Sequence, residues 1–296
     1  MDDKGAGNSN LDLIIVPQVP LTQFFNTTLK GNCVAKGVGM RNRGFGTIDF
    51  TGLIPARSTI VNSFLYWEVL RTSAQASDPK GTLNGTPIIG DNIAPAIGNP
   101  CWNTDVADVF RADVTGIATG GVNTLTGFPS GDTDSSSPFS SSTPPLIEGA
   151  SIIHVYSNRA LPLTTVIINN GGVTFTNDTV STTLTGFLAS PPVSAKTIYI
   201  VGDGQAAFAG DQALFNRAVV AGPTTLVRPA DAFNGQDGID AGIDPETGLW
   251  DTLTVDVSSL INPGDTSATA SVLSSSIGGD CLTYIAQILC VKTFGK

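Results

Sequence analysis

Histidine is almost missing from this chain: His154 is the sole imidazole among 296 residues. That leaves no set of imidazoles for a zinc site, and one candidate base for a serine hydrolase, which would also need a G-x-S-x-G elbow that the sequence does not contain. Cation-bearing residues are scarce too, with 15 Lys plus Arg against 25 Asp plus Glu, a net charge of -10 and no run of basic residues. A basic surface for nucleic acid or for an anionic membrane is therefore not expected. The longest apolar runs, such as IVNSFLYW and IYIVG, fall far short of the roughly 20 residues a membrane-spanning helix needs. None of the four cysteines has C-x-x-C spacing, which argues against a metal site; the even count fits disulfides in an oxidising compartment, and one bridge with two buried free thiols fits it equally. The first ten residues, MDDKGAGNSN, are acidic and polar and do not read as a signal peptide. The expectation is a mature form carrying an added Met, or exit from the cell by a route such as mother-cell lysis.

What is abundant points to β-structure. The 33 Gly, 18 Pro and many Ser, Thr and Val residues, with only 14% charged residues, favour short strands joined by turns. Residues 58–70, STIVNSFLYWEVL, are the longest strand pattern. Val61, Leu65, Trp67 and Val69 share one face and Ile60, Phe64, Tyr66 and Leu70 the other, so both faces are apolar and the strand belongs in the middle of a covered sheet. Asn84-Gly85 in GTLNGTPIIG is a hairpin turn. Residues 148–157, 163–169, 173–176, 180–188 and the closing CLTYIAQILCVKTF read as further strands, and 106–116 is the best candidate for a short helix. Residues 130–145, SGDTDSSSPFSSSTPP, form a solvated loop. The predicted fold is all-β: two sandwich units of jelly-roll type, residues 31–189 and 192–296, divided at Ser190-Pro191-Pro192 and preceded by an extended arm, residues 1–30.

That arm, with LDLIIVPQVPLTQFF marked by Pro17 and Pro20, carries two readings. It is an edge strand of the chain's own sheet, or it adds to the sheet of a neighbouring subunit through Leu13, Ile15 and Phe25. The glycine-rich segment 31–46 matches neither G-x-G-x-x-G nor the Walker spacing and reads as a bulged strand.

Hard oxygen ligands are concentrated in residues 231–251. Asp231, Asn234, Asp237, Asp240 and Asp244, spaced by glycines, suit a loop that curls around Ca²⁺ with oxygens at about 2.3–2.6 Å, although the order of ligands is not that of an EF-hand and a plain solvated turn also explains it. Asp203 and Asp211 would join such a site if the loops at one end converged. His154 alternates with Ile152 and Tyr156 and reads as a structural histidine. Lys36 and Lys196 are candidates for an intramolecular isopeptide bond. Cys281 and Cys290, nine positions apart in one predicted strand, should not pair with each other, which leaves Cys33 and Cys101 to pair with them or together.

The landmarks SFLYW, GTLNGTPIIG, FRADVTGIATGG, EGASIIHVYSNRALP and GLWDTLTVDVSSLI, in that order over residues 31–291, resemble a family of exported prokaryotic surface-protein domains of unknown function. The resemblance implies a β-sandwich body and supplies no catalytic residues. Together these features predict a non-enzymatic structural subunit of an extracellular cell-surface or spore appendage, assembled as a homo-oligomer by N-terminal strand addition. The alternative is a monomeric adhesin stabilised by Ca²⁺ that binds glycans or other surface proteins, for which Trp102 and Trp250 beside the acidic loop would be an aromatic platform.

Overall fold

The computed structural model describes residues 17–99, 101–139, 143–238, 248–275 and 280–294. These residues form an all-β molecule whose only helical element is a single turn at Ser258–Leu260. The first strand, β1 (Val19–Gly39), organises the rest. Its first half pairs antiparallel with β10 (Leu163–Phe175), from Val19 opposite Gly172 to Lys30 opposite Leu163. Its second half pairs with β9 (Leu146–Ser157), from Gly31 opposite Ser157 to Gly39 opposite Gly149. The expected boundary between arm and body at residues 30 and 31 thus falls inside one strand.

From β10 the ladder continues to β17 (Leu282–Lys292), β12 (Ala195–Gly202) and β15 (Trp250–Asp256). From β9 it continues to β3 (Thr59–Arg71), β7 (Val106–Asp113) and β6 (Asp91–Gly98), nine strands in all. β12 and β17 lie beyond the expected boundary at residue 190, yet β17 is bonded directly to β10. The ladder therefore runs through that boundary without a break.

Residues from both halves of the ladder, among them Cys33, Phe64, Tyr66 and Ile153 on one side and Ile168, Ile198, Ile285 and Cys290 on the other, make one central core. The two halves fold over each other about β1. The outer face of the β3 half is covered by a four-stranded sheet of β2 (Gly46–Asp49), β8 (Val122–Thr126), β4 (Lys80–Leu83) and β5 (Thr86–Ile89), around Leu65, Trp67 and Phe110. The outer face of the β12 half is covered by β11 (Thr179–Thr185), β16 (Ser267–Leu273), β13 (Gln212–Phe215) and β14 (Ala218–Ala221), around Tyr199, Tyr284 and Phe215. The result is four β-layers with three cores.

The local chemistry explains the elements. β3 is buried on both faces as its sequence implies, Tyr66 and Leu70 entering the central core and Leu65, Trp67 and Val69 the outer one. Asn84 (φ 51°) and Gly85 (φ 77°) form the tight β4–β5 turn, in the left-handed conformation those residues tolerate. The helix expected over 106–116 is instead β7. Its apolar residues at 106, 109, 110 and 114 fit a helical period as well as a strand, and pairing from Phe64–Asp113 to Arg71–Val106 decides for the strand. The two strands expected at 163–169 and 173–176 are a single strand whose register shifts at Gly171 and Gly172. A side chain at Gly172 would collide with Ala94 Cβ at 2.6 Å, so the halves of the ladder approach closely there.

Both disulfides join distant segments. Cys33 pairs with Cys290, Cα atoms 6.3 Å apart, and Cys101 with Cys281 at 6.6 Å. Cys281 and Cys290 do not bond to each other, as the straight strand between them requires. Two disulfides fit a secreted or extracellular protein. No helix among the described residues is long and apolar enough to cross a membrane.

Candidate functional site

At the end of the stack where β1, β7, β9, β12, β15 and β17 have their 39, 106, 146, 202, 250 and 282 termini, carboxylates from separate connections are buried together. Glu148, at the start of β9, is ion-paired with Arg41, and both side chains are sealed from solvent. The Arg41 guanidinium lies 4.4 Å over the Trp102 ring, and the indole Nε1 of Trp102 donates to Asp203 Oδ1 at 2.6 Å. Beside them on β3 is Glu68, fully buried, with neither oxygen in a hydrogen bond. Burial first and the Glu148 charge second push its carboxyl up to about 8, against the weaker opposing pull of the Arg41 charge. Asp203 is also pushed far up, by burial and then by Glu148.

A second group adjoins this one. Asp211, in the β12–β13 connection, accepts from the Ser275 amide at 2.6 Å through Oδ1, while its Oδ2 has no partner. Asp231 accepts from the Phe233 amide at 3.3 Å, and its Oδ2 is likewise unpartnered. Asp280 accepts from the Gln205 and Cys281 amides at 2.9 and 2.8 Å. Burial, reinforced by mutual repulsion, raises Asp211 to about 7 and both Asp231 and Asp280 to about 8. Asp251 is fully engaged, by Arg228 at 2.5 Å and by the Gly235 and Gln236 amides at 3.0 Å each. Asp237, raised to about 7 by burial, sits against Thr252 and Gly37.

Among the described residues, these acids face two largely buried guanidinium groups, Arg41 and Arg228. The surplus of carboxylates can be neutral only if it holds protons or a bound cation. The orphaned Oδ2 atoms of Asp211 and Asp231 are the best fit to a hard cation, because they are oxygens already stripped of water and not yet bonded. Among the described residues, the three-residue group whose ligand atoms come within 4.8 Å of one another is Cys101, Asp203 and Cys281. Its sulfurs are joined in a disulfide and offer no thiolate.

Of the ligands expected from the sequence, Asp231, Asn234 and Asp237 lie in this region, Asn234 Oδ1 being unpartnered. Asp240 and Asp244 lie outside the described residues. Asp211 does come beside Asp231, whereas Asp203 neighbours Glu148 and Asp280. Asp280 is the member that sequence reasoning misses; its one signal is an Asp at the lip of a strand, just before CLTYIAQ. Leu13 and Ile15 lie outside the described residues. Phe25 stands in the chain's own sheet opposite Ile168, its ring 5.2 Å from Phe64. Trp250 is fully buried, donating to Ser151 Oγ at 2.8 Å, and Trp102 is partly covered by Arg41, so these two rings form no open sugar platform.

His154 is a structural residue. Its Nε2 donates to the Thr119 carbonyl at 3.0 Å, which leaves Nδ1 to accept from the Ser63 hydroxyl at 2.7 Å, and the ring meets Phe50 edge-on. Burial depresses it to about 4.

Glu68 provides a direct check on this electrostatic picture. Glu68→Gln keeps the shape and removes the titration, so it is expected to raise the melting temperature by ~2–6 °C above pH 8 and to leave it unchanged at pH 5, where Glu68 is already protonated. An equal shift at both pH values would mean that packing, not charge, dominates there.

No family model matches the chain, and no curated protein matches it. Among solved structures it is similar to the glycoside hydrolase BuGH86 in complex with neoagarooctaose (11% identity, 93% of this chain and 34% of that one, TM-score 0.24). It is similar also to BpGH86A, a β-porphyranase of glycoside hydrolase family 86 from Bacteroides plebeius (8%, 95% and 38%, TM-score 0.25). A third likeness is to the VP2 subviral particle of infectious bursal disease virus (11%, 94% and 74%, TM-score 0.26). The chain spans about a third of the length of the two hydrolases.

Proposed function

We propose that the chain is a non-enzymatic structural subunit of an extracellular assembly, joined to its neighbours by strand addition. The observation that carries this reading is the edge of β1. Residues 19–30 are bonded to β10 on one side and to no strand among the described residues on the other, and most of them are exposed, Phe24 included. An exposed edge of this length is a template for another chain's strand, with main-chain groups supplying affinity and alternate side chains supplying register. The donor is the neighbour's segment preceding β1, where Leu13 and Ile15 alternate. Because β1 is committed to its own sheet from Val19 onward, donation is confined to residues before it. A contact of this kind is head-to-tail and propagates into a filament.

The test is electron microscopy and sedimentation of the full chain beside a variant lacking residues 1–16. The full chain should form elongated assemblies at high concentration. The shortened chain should remain monomeric, and an excess of a synthetic peptide of residues 8–18 should block assembly of the full chain. Monomers throughout would refute the reading.

A second reading, a monomeric surface adhesin stabilised by Ca²⁺, is favoured by the orphaned oxygens of Asp211 and Asp231. The two readings differ in oligomeric state, which the assembly test above separates.

A further inference from the structure

At the opposite end of the stack, cations that are far apart in sequence come together. Lys30, where β1 passes from β10 to β9, Arg57, in the turn before β3, and Arg159, in the β9–β10 turn, line one open notch with a cavity volume of about 620 Å³. Its other walls are Thr59, Ser157 and Asn158, hydroxyl and amide groups. Among the described residues, none of the three cationic side chains has an ion pair or a hydrogen bond. In a chain of net charge -10, three uncompensated cations around one concavity stand out against the surface field.

The notch is also fixed in shape. Asn158 ties its three segments together: its amide donates to the Lys30 carbonyl at 2.8 Å, and its side-chain Nδ2 donates to Ser58 Oγ at 3.1 Å and to the Ala56 carbonyl at 3.3 Å. Its Oδ1 accepts from the Ala160 amide at 3.0 Å, which closes the turn carrying Arg159. Arg57 is held at φ 66°, a left-handed conformation that is unfavourable for a long side chain and persists only where the surroundings impose it. The bonds from Asn158 to residues 56 and 58, on either side of Arg57, supply that imposition.

We infer that this notch is a binding site for an acidic oligosaccharide, the anionic groups meeting Lys30, Arg57 and Arg159 and the sugar hydroxyls meeting Thr59 and Ser157. The assignment does not depend on strand addition or on a bound cation. Guanidinium groups suit carboxylate, sulfate and phosphate esters alike. The polar walls suit a hydroxylated chain, and the overall negative charge disfavours long, densely charged polymers such as nucleic acids.

Calorimetric titration at low ionic strength tests it, with a short oligogalacturonate and a heparin-derived oligosaccharide as probes, and with neutral dextran oligomers and tripolyphosphate as comparisons. Binding of either acidic sugar, weakening as salt is raised, is expected, and which of the two binds distinguishes carboxylate from sulfate recognition. Arg57→Gly, which suits the left-handed backbone, and Arg159→Ala should each weaken that binding roughly two- to fivefold, as loss of an exposed ion pair does. Lys80→Ala, a cation on β4 outside the notch, should leave it unchanged. Absence of binding to both acidic sugars, equal binding of dextran, tripolyphosphate as good as the sugars, or an Arg57→Gly/Arg159→Ala double variant that binds like the parent would each overturn the assignment.

Discussion

Replacing Cys33 and Cys290 together by alanine is expected to lower the unfolding free energy by about 4 kcal/mol and the melting temperature by roughly 10 °C. The two bridges are nested, since Cys101–Cys281 spans 180 residues inside the 257 spanned by Cys33–Cys290. With the inner bridge intact, the loop that the outer one closes is the difference, 257 less 180, or about 77 residues, for which loop closure gives about 4 kcal/mol. A melting shift of ~2–4 °C per kcal/mol converts this to the stated drop. Both sulfurs lie in the central core between the two halves of the ladder, Cys33 on β1 and Cys290 on β17. Alanine there also removes packing, so the entropic figure is a lower bound on the expected loss. Calorimetry of the double variant checks this, and a melting temperature within about 3 °C of the parent would show that the sheets hold together without the bridge.

How much of this could be read from the sequence follows from how local each feature is. β3 is legible because two alternating apolar faces are written in thirteen consecutive residues, and the Asn84-Gly85 turn because its chemistry is confined to two. The refusal of Cys281 to pair with Cys290 follows from strand geometry alone. The single ladder is not legible. Nothing near Ser190-Pro191-Pro192 reveals that β17, about a hundred residues further on, returns to pair with β10. The helix expected at 106–116 fails for the related reason that a short apolar run fits both periods until a partner strand is known.

The two charged ends show the same limit. Asp231 and Asp237 are visible as a cluster in one loop, and convergence with Asp203 and Asp211 can be posed as a condition. Asp280 enters only because several connections meet at one end of the stack. The basic notch leaves no trace in the sequence, since Lys30, Arg57 and Arg159 stand alone in their segments and are brought together by Asn158.

The acid end gives the second large effect: in EDTA the protein is expected to melt higher at pH 5 than at any higher pH and to lose 10 °C or more by pH 8.5. Glu68, Asp231 and Asp280 have folded-state values near 8, and Asp211 and Asp237 near 7, all above the range of an unfolded carboxyl near 4. Between about pH 4 and pH 8 the folded chain therefore holds more protons than the unfolded one, and stability falls as pH rises through that window. His154 works the other way. Held near 4 in the folded state, it favours folding above its unfolded value of about 6.5 and loses that contribution as pH falls, but it is one group against five. Each tenfold change in proton affinity on folding corresponds to about 1.4 kcal/mol, so even with the acids repelling and titrating together the net change amounts to several kcal/mol. In the calcium reading, a divalent cation competes with protons for the same oxygens. Ca²⁺ in hundredfold excess over its dissociation constant should add about 2.7 kcal/mol at pH 8 and little at pH 5, where protons occupy Asp211 and Asp231. Asp231→Asn should raise the melting temperature at pH 8 in EDTA and abolish the response to Ca²⁺. A melting temperature flat from pH 5 to 8.5 would refute the buried-acid account, and a pH slope without any response to Ca²⁺ would leave protons as the natural counter-charge of the cluster and rule out the calcium site.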